Sequence, residues 1–390
     1  MKKFAKKLSA AFKKPGNVSF LSSIVSIVFG LIIGFILLLC FNAPHALGGI
    51  TKILTTGFSS SDKLGKVLYQ AVPLIFTGLS VAFAFKTGLF NIGATGQYTV
   101  GAFCALFCAI VLKCPWYVSL LAAALGGAVW GFFPGLFKAL FNVNEVITSI
   151  MFNWIGLYAV NLMISNQKLM LANSWGASNP DRTANLSAVM GMSGTENMLT
   201  IPKGGLDKLF DSKWINIGIF IAVAAALIIY MIINRTTFGF GLRACGYNKN
   251  ASLYAGIPAK RNIVLSMVIA GALSGIGGGI YFLNGPAQYT LYKVLLTMGF
   301  NGIPVALLAL SNPIGVIFSA LFISYIQVGG DALQPEFAKE IIDIIISVII
   351  YLSAFSLIIR TLIGKLLNRK GQSKAQAGDA PAPESKEENL

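Results

Sequence analysis

The chain has 390 residues, 55% of them hydrophobic and 11% charged, with a mean hydropathy of +0.73. Soluble domains carry about 25% charged residues, so this composition cannot coat a water-facing surface and excludes an ordinary globular enzyme. The formal net charge of +16 gathers beside apolar runs instead of forming a nucleic-acid patch, so the expected neighbour is the lipid bilayer and no nucleic acid.

Apolar runs recur along the chain, continuous rather than alternating, which in lipid means helices and not a barrel. They predict spans at 20–41, 68–85, 98–113, 116–138, 143–165, 215–234, 263–284, 294–311, 313–330 and 338–360. The expected fold class is all-α: a polytopic integral membrane protein of about ten transmembrane helices.

Residues 1–19 form a basic cytoplasmic segment, with Lys2, Lys3, Lys6, Lys7, Lys13 and Lys14 and no acid before Phe20. The apolar run 20–41 exceeds the roughly 7–15 residues of a signal-peptide core and no A-x-A site follows, so it reads as a retained first span. Four further spans lead to the loop 166–214, whose five basic and four acidic residues suit the extracytoplasmic side. One span returns to 235–262, where Arg235, Arg243, Lys249, Lys260 and Arg261 stand without an acid. Four more bring the C-terminus inside, and the parity closes with both termini cytoplasmic. The 294–311 and 313–330 spans are separated only by Asn312 and Pro313, where a tight turn and a broken helix fit equally. Residues 366–390 are polar, rich in Pro, Ala and Glu, and predict a disordered tail.

Gly127, Gly131 and Gly135, like Gly271, Gly275 and Gly279, recur every fourth residue and predict close helix packing. Cys104 and Cys108 share a helix face and are expected to pack as small hydrophobes. His45 is the single histidine, so no metal site is expected. No phosphate-binding G-x-x-x-x-G-K-[ST] loop occurs. "GFGLRA", from Gly239, lacks the preceding strand that a dinucleotide fingerprint needs. No nucleophile–base set appears, so catalytic residues are none and the chain is not expected to be an enzyme.

Polar residues within the oily chain mark a second pattern. "KTGLFNIGATGQ", from Lys86 to Gln97, holds one charge in twelve residues. It fits a cytoplasmic turn, and it fits a glycine-permitted break at membrane depth, where Asn91 and Gln97 offer amides and Phe90 an aromatic face to a neutral solute. "FNGI", at Phe300 and Asn301, echoes "FNIG" some two hundred residues later, and matching interruptions point to a translocation path. Asn144, Thr148 and Asn153 recur on one helical face; Glu145 sits beside them, within reach of Lys138 at the interface. Asp343, the deepest isolated acid, fits an intramembrane functional group and equally a structural partner for a neighbouring amide.

The inside segment Gly241 to Arg261 predicts a short helix, with Asn248 or Asn250 as its cap and Gly256 and Pro258 ending it. It fits a docking element or a basic loop held at lipid headgroups.

Three motifs carry a resemblance. G-L-R-A-x-G-x-N-x-x-A-x-x-A-G-I (Gly241 to Ile257), "KTGLFNIGATGQ" and "NEVITSIMFN" (Asn144 to Asn153), within about residues 65–365, resemble ABC-transporter permeases of the branched-chain amino acid, ribose and nucleoside group. The wording is closest to permeases of nucleoside importers served by a basic-membrane-lipoprotein type of binding protein. The resemblance implies a permease domain over 20–365 in a bacterial inner membrane. It implies a second homologous permease, a substrate-binding lipoprotein and a separate ATPase that uses ATP, with no cofactor on this chain. The ATPase would engage Arg243, Asn248, Asn250, Ala251, Tyr254, Ala255 and Gly256, where Ser252 replaces an alanine common in relatives. The alternatives are ribose-like sugars or branched-chain amino acids as solute, an ion-coupled secondary transporter, or a structural factor; ATP dependence separates the first group from the others.

Overall fold

The computed structural model describes residues 15–194, 198–291, 293–353 and 361. Most of the basic N-terminal segment, the end of the 338–360 span and the 366–390 tail lie outside the described residues. Among those described, seven helices are long and apolar enough to cross a membrane.

Helix α1 (Pro15–Thr55) opens with a proline where no backbone donor is needed and breaks at Asn42, whose φ of −154° leaves the helical region. Pro44 cannot donate to the turn before it, which explains the break. The helix then resumes, so it runs past the expected end at 41. α2 (Ser61–Lys86) is capped by Ser60 and is buried along nearly its whole length. α3 (Ala94–Ile110), α4 (Trp116–Phe141) and α5 (Glu145–Asn166) follow as an up-and-down series. Two short helices, α6 (Leu186–Ser193) and α7 (Leu206–Phe210), lie in the long loop before α8 (Gly218–Arg235). α9 (Thr237–Tyr247) and α10 (Lys249–Tyr254) form a corner, from which α11 (Ala259–Phe282) runs back through the centre. α12 (Thr297–Phe300), α13 (Gly302–Leu308), α14 (Pro313–Asp331) and α15 (Lys339–Ser353) complete the described helices.

The expected continuous span at 294–311 is corrected. Thr297–Leu308 gives only about 18 Å of helix, in two pieces that meet at Asn301. Pro304 has no N–H for the carbonyl of Phe300, so it fits early in α13, where helix donors lack internal partners anyway. Leu310 and Ser311 then turn the chain with φ of 52° and 54°. Asn312 caps α14 by accepting from Ile314 N–H at 3.0 Å.

The core is built on backbone contact. A Cβ on Gly127 of α4 would meet the carbonyl oxygen of Gly271 at 2.2 Å, and one on Gly275 of α11 would meet that of Ala123 at 2.3 Å. The two four-residue glycine stripes therefore face each other, and dispersion contact accumulates along the whole crossing. Gly101 of α3 closes on Gly275 from a third side. Outward faces are apolar: Phe29, Ile32 and Ile36 on α1, and Leu121, Leu125 and Val129 on α4 are exposed. Such faces suit lipid, not water. The helices alternate between two ends. One, the basic end, carries Lys86, Lys138, Arg235 and Arg243. The other carries the structured loop, where Leu171 bridges Thr183 and Arg182 bridges Thr290.

Candidate functional site

The stretch between α2 and α3 leaves the helix at Thr87, and Gly88 takes φ +74°, which a Cβ would strain. Gly88 packs on the backbone of Gly246 at the basic end. From there the chain climbs without helix to Gly93, buried within the bundle, so α3 starts at depth. Side chains satisfy this irregular backbone. Asn153 of α5 accepts from Gly96 N–H at 2.8 Å and donates to the carbonyl of Ile92 at 3.0 Å. Ser274 of α11 donates to the carbonyl of Ala94 at 2.6 Å. Non-helical backbone survives in lipid only when protein pairs it in this way.

Asn91 and Gln97 are 0% and 1% exposed and exchange two hydrogen bonds, at 2.8 and 3.1 Å, while Asn91 also donates to Ser80 Oγ at 2.9 Å. Phe90 is half-buried and stacks on Phe85, ring centroids 5.3 Å apart. Asn144 is exposed and caps α5, accepting from Val146 N–H at 2.8 Å; Thr148 donates to the carbonyl of Asn144. Glu145 pairs with Lys138 at 2.9 Å. Asn144, Thr148 and Asn153 thus share α5, but only Asn153 reaches the break.

The second interruption packs against the first. A Cβ on Gly299 would lie 2.3 Å from Cα of Thr95, so the start of α3 touches α12 beside Phe300 and Asn301. Asn301 and Asp343 come together on one cavity of about 430 Å³ between α2, α12, α14 and α15. Gln70, Thr297, Gln327, Asp331 and Ser347 supply its other polar groups. The buried amide oxygens of Gln70 and Gln327 have no hydrogen-bond partner. Sequence reasoning missed both glutamines, although an amide inside an apolar run is itself a signal of a functional position.

At the basic end, Asn248 caps α10, accepting from Ala251 N–H at 3.0 Å, and Gly256 ends it at φ +75°. Tyr247 and Tyr254 are 91% and 95% exposed, beside exposed Asn250, Ala251, Leu253 and Ala255. Arg243 lies half-buried in α9 below them. The corner is an exposed aromatic ledge.

The model of a family described as branched-chain amino acid transport system / permease component matches residues 64–354. The chain is 36% identical to the guanosine ABC transporter permease protein NupP of Bacillus subtilis (strain 168), over 89% of this chain and 96% of that one. It is 36% identical to the nucleoside ABC transporter permease protein NupB of Lactococcus lactis subsp. cremoris, over 88% and 92%. It is 27% identical to a second guanosine permease of the same Bacillus strain, NupQ, over 67% and 79%. No solved structure matches significantly. The chain is therefore a multi-pass membrane protein of the branched-chain amino acid transport system / permease component family, a permease component of the ABC-transporter class.

Proposed function

We propose that this chain is the membrane-spanning permease subunit of an ATP-binding-cassette importer for nucleosides in a bacterial plasma membrane. The observation that carries the reading is near full-length similarity to NupP and NupB, whose names give guanosine and nucleosides as cargo. An external binding lipoprotein delivers the solute at the loop end. A separate ATPase hydrolyses ATP at the basic, cytoplasmic end. The ledge of Tyr247 and Tyr254 is a fitting seat for it: aromatic residues exposed on a capped helix offer large apolar area at little entropy cost. Similarity to both NupP and NupQ supports pairing with a second, different permease. The pathway runs past Asn301, and the Asn91–Gln97 pair and Asn153 hold the break beside it.

The test is ATP hydrolysis by the tagged transporter purified from its own membranes, against Tyr254→Asp. Tyr254 points into solvent, so the variant leaves the bundle intact while placing a charge on the ledge. Loss of hydrolysis at an unchanged membrane level of the chain supports the reading. Undiminished hydrolysis overturns the ledge as the docking site.

A further inference from the structure

The cavity between α2, α12, α14 and α15 has a polar inventory of one kind. Two carboxylates, Asp331 and Asp343, and three amides, Gln70, Asn301 and Gln327, face it together with Thr297 and Ser347, and among the described residues no cationic side chain lines it. Lys66 pairs with Asp331 at 3.1 Å, so that carboxylate is already answered. Asp343 has no such counter-charge among the described residues. Both glutamines carry a buried oxygen with nothing donating to it. An unpartnered buried acceptor is costly, and a donor-bearing visitor relieves that cost when the amide turns toward it. Ile346 and Ile350 supply the apolar wall, and the volume of about 430 Å³ lies in the range of small-molecule sites, about 300–1,000 Å³.

Resting on the nucleoside reading, we infer that this cavity is a solute-binding station, selective for uncharged or cationic molecules rich in N–H and O–H donors and closed to anions. The sugar hydroxyls and ring or exocyclic N–H groups of a nucleoside meet Gln70, Gln327 and Asn301, and its flat base lies on Ile346 and Ile350. The carboxylate of Asp343 repels a phosphate, so a nucleoside is accepted and its phosphorylated form refused. Such selection acts inside the membrane chain, after any choice made by the binding protein.

The test uses the intact transporter in membrane vesicles, with the chain's five cysteines replaced by alanine and a single thiol introduced by Ser347→Cys. Its modification by a cationic and an anionic methanethiosulfonate is timed with and without guanosine, each rate corrected for that reagent's rate with a free thiol. The cationic reagent is expected to react about tenfold faster, Asp343→Asn to bring the ratio close to one, and guanosine to slow both. Equal rates with Asp343 present, or a thiol left unprotected while guanosine uptake persists, overturn the cavity assignment and leave the nucleoside reading standing. Protection by ribose or leucine with none by guanosine keeps the cavity and overturns the nucleoside reading. Should the cysteine-free chain fail to reach the membrane, Gln70→Leu in the native chain decides. A rise of KM for guanosine at normal membrane level and normal ATP hydrolysis supports the station, and unchanged uptake kinetics overturn it.

Discussion

The side-chain amides of Asn91 and Gln97 close on each other through two hydrogen bonds, six residues apart and sealed from solvent. Their pairing spans the irregular turn that leads into α3, so each amide is the other's solvent. Replacing one leaves its partner unpaired in the core, at about 1–3 kcal/mol. Replacing both removes the orphan along with the bond. Asn91→Leu and Gln97→Leu are therefore each expected to lower the thermal midpoint of the detergent-solubilised chain, and the double variant to lower it by less than their sum. Strict additivity, together with a raised KM for uptake at normal stability, would instead make these amides direct solute contacts.

Gly275 is closed in by Ala123 and Gly127 on α4 and by Gly101 on α3. These neighbours are backbone and cannot step aside. Gly275→Val forces α4 and α11 apart, at a cost of about 1–3 kcal/mol or more, and is expected to deplete the folded chain in size-exclusion profiles. Gly191→Ala in α6, with nothing within 4 Å of the new Cβ, is expected to leave the profile unchanged.

Glu336 holds the kink of α1 in place: it pairs with Lys52, and its backbone carbonyl accepts from Asn42 at 3.3 Å. The hydrogen bond from Lys52, aided by its charge, keeps the Glu336 carboxyl below the usual range. A depressed carboxyl stabilises the fold above its unfolded pKa, about 4.3, and that contribution disappears as pH falls through the lower folded value. The thermal midpoint is thus expected to fall slightly below about pH 4 in the native chain, and less in Glu336→Gln. Parallel pH curves would remove the pair from the stability of the kink.

On the proposed orientation the basic ends of the helices face the cytoplasm. In a cysteine-free background, Tyr247→Cys is expected to react with a membrane-impermeant maleimide only after the cells are opened, and Ser178→Cys to react in intact cells. The reverse pattern would invert the topology.

Much of this architecture was legible in the sequence because it rests on local chemistry. The glycine stripes of α4 and α11 predicted a close crossing, and Gly256 and Pro258 marked the end of α10, whose cap the structure assigns to Asn248 over Asn250. The glycines between Lys86 and Gln97 allowed for a break in the helix. What escaped depends on partners far apart in the chain. Gln70 and Gln327 look like incidental amides in oily runs until α2 and α14 bring them to one cavity beside Asn301 and Asp343. The 294–311 run has the hydropathy of a span, which averages over the interruption at Asn301 and Pro304. "FNAPHALGG" reads as the end of a helix, yet α1 resumes beyond it because Glu336, nearly three hundred residues later, grips Asn42 and Lys52.

On the proposed reading, this chain carries nucleosides at the expense of ATP. The decisive measurement is uptake of labelled guanosine, a labelled pyrimidine nucleoside and labelled ribose in cells with the intact chain or with Gly256→Val. That substitution puts a β-branched residue at φ +75° and displaces the ledge while leaving the spans inserted. Nucleoside uptake is expected to survive a proton uncoupler while ATP is held constant and to be lost in the variant at an equal membrane level. Uptake that collapses with the proton gradient, or uptake of ribose but of neither nucleoside, overturns the nucleoside-importer reading.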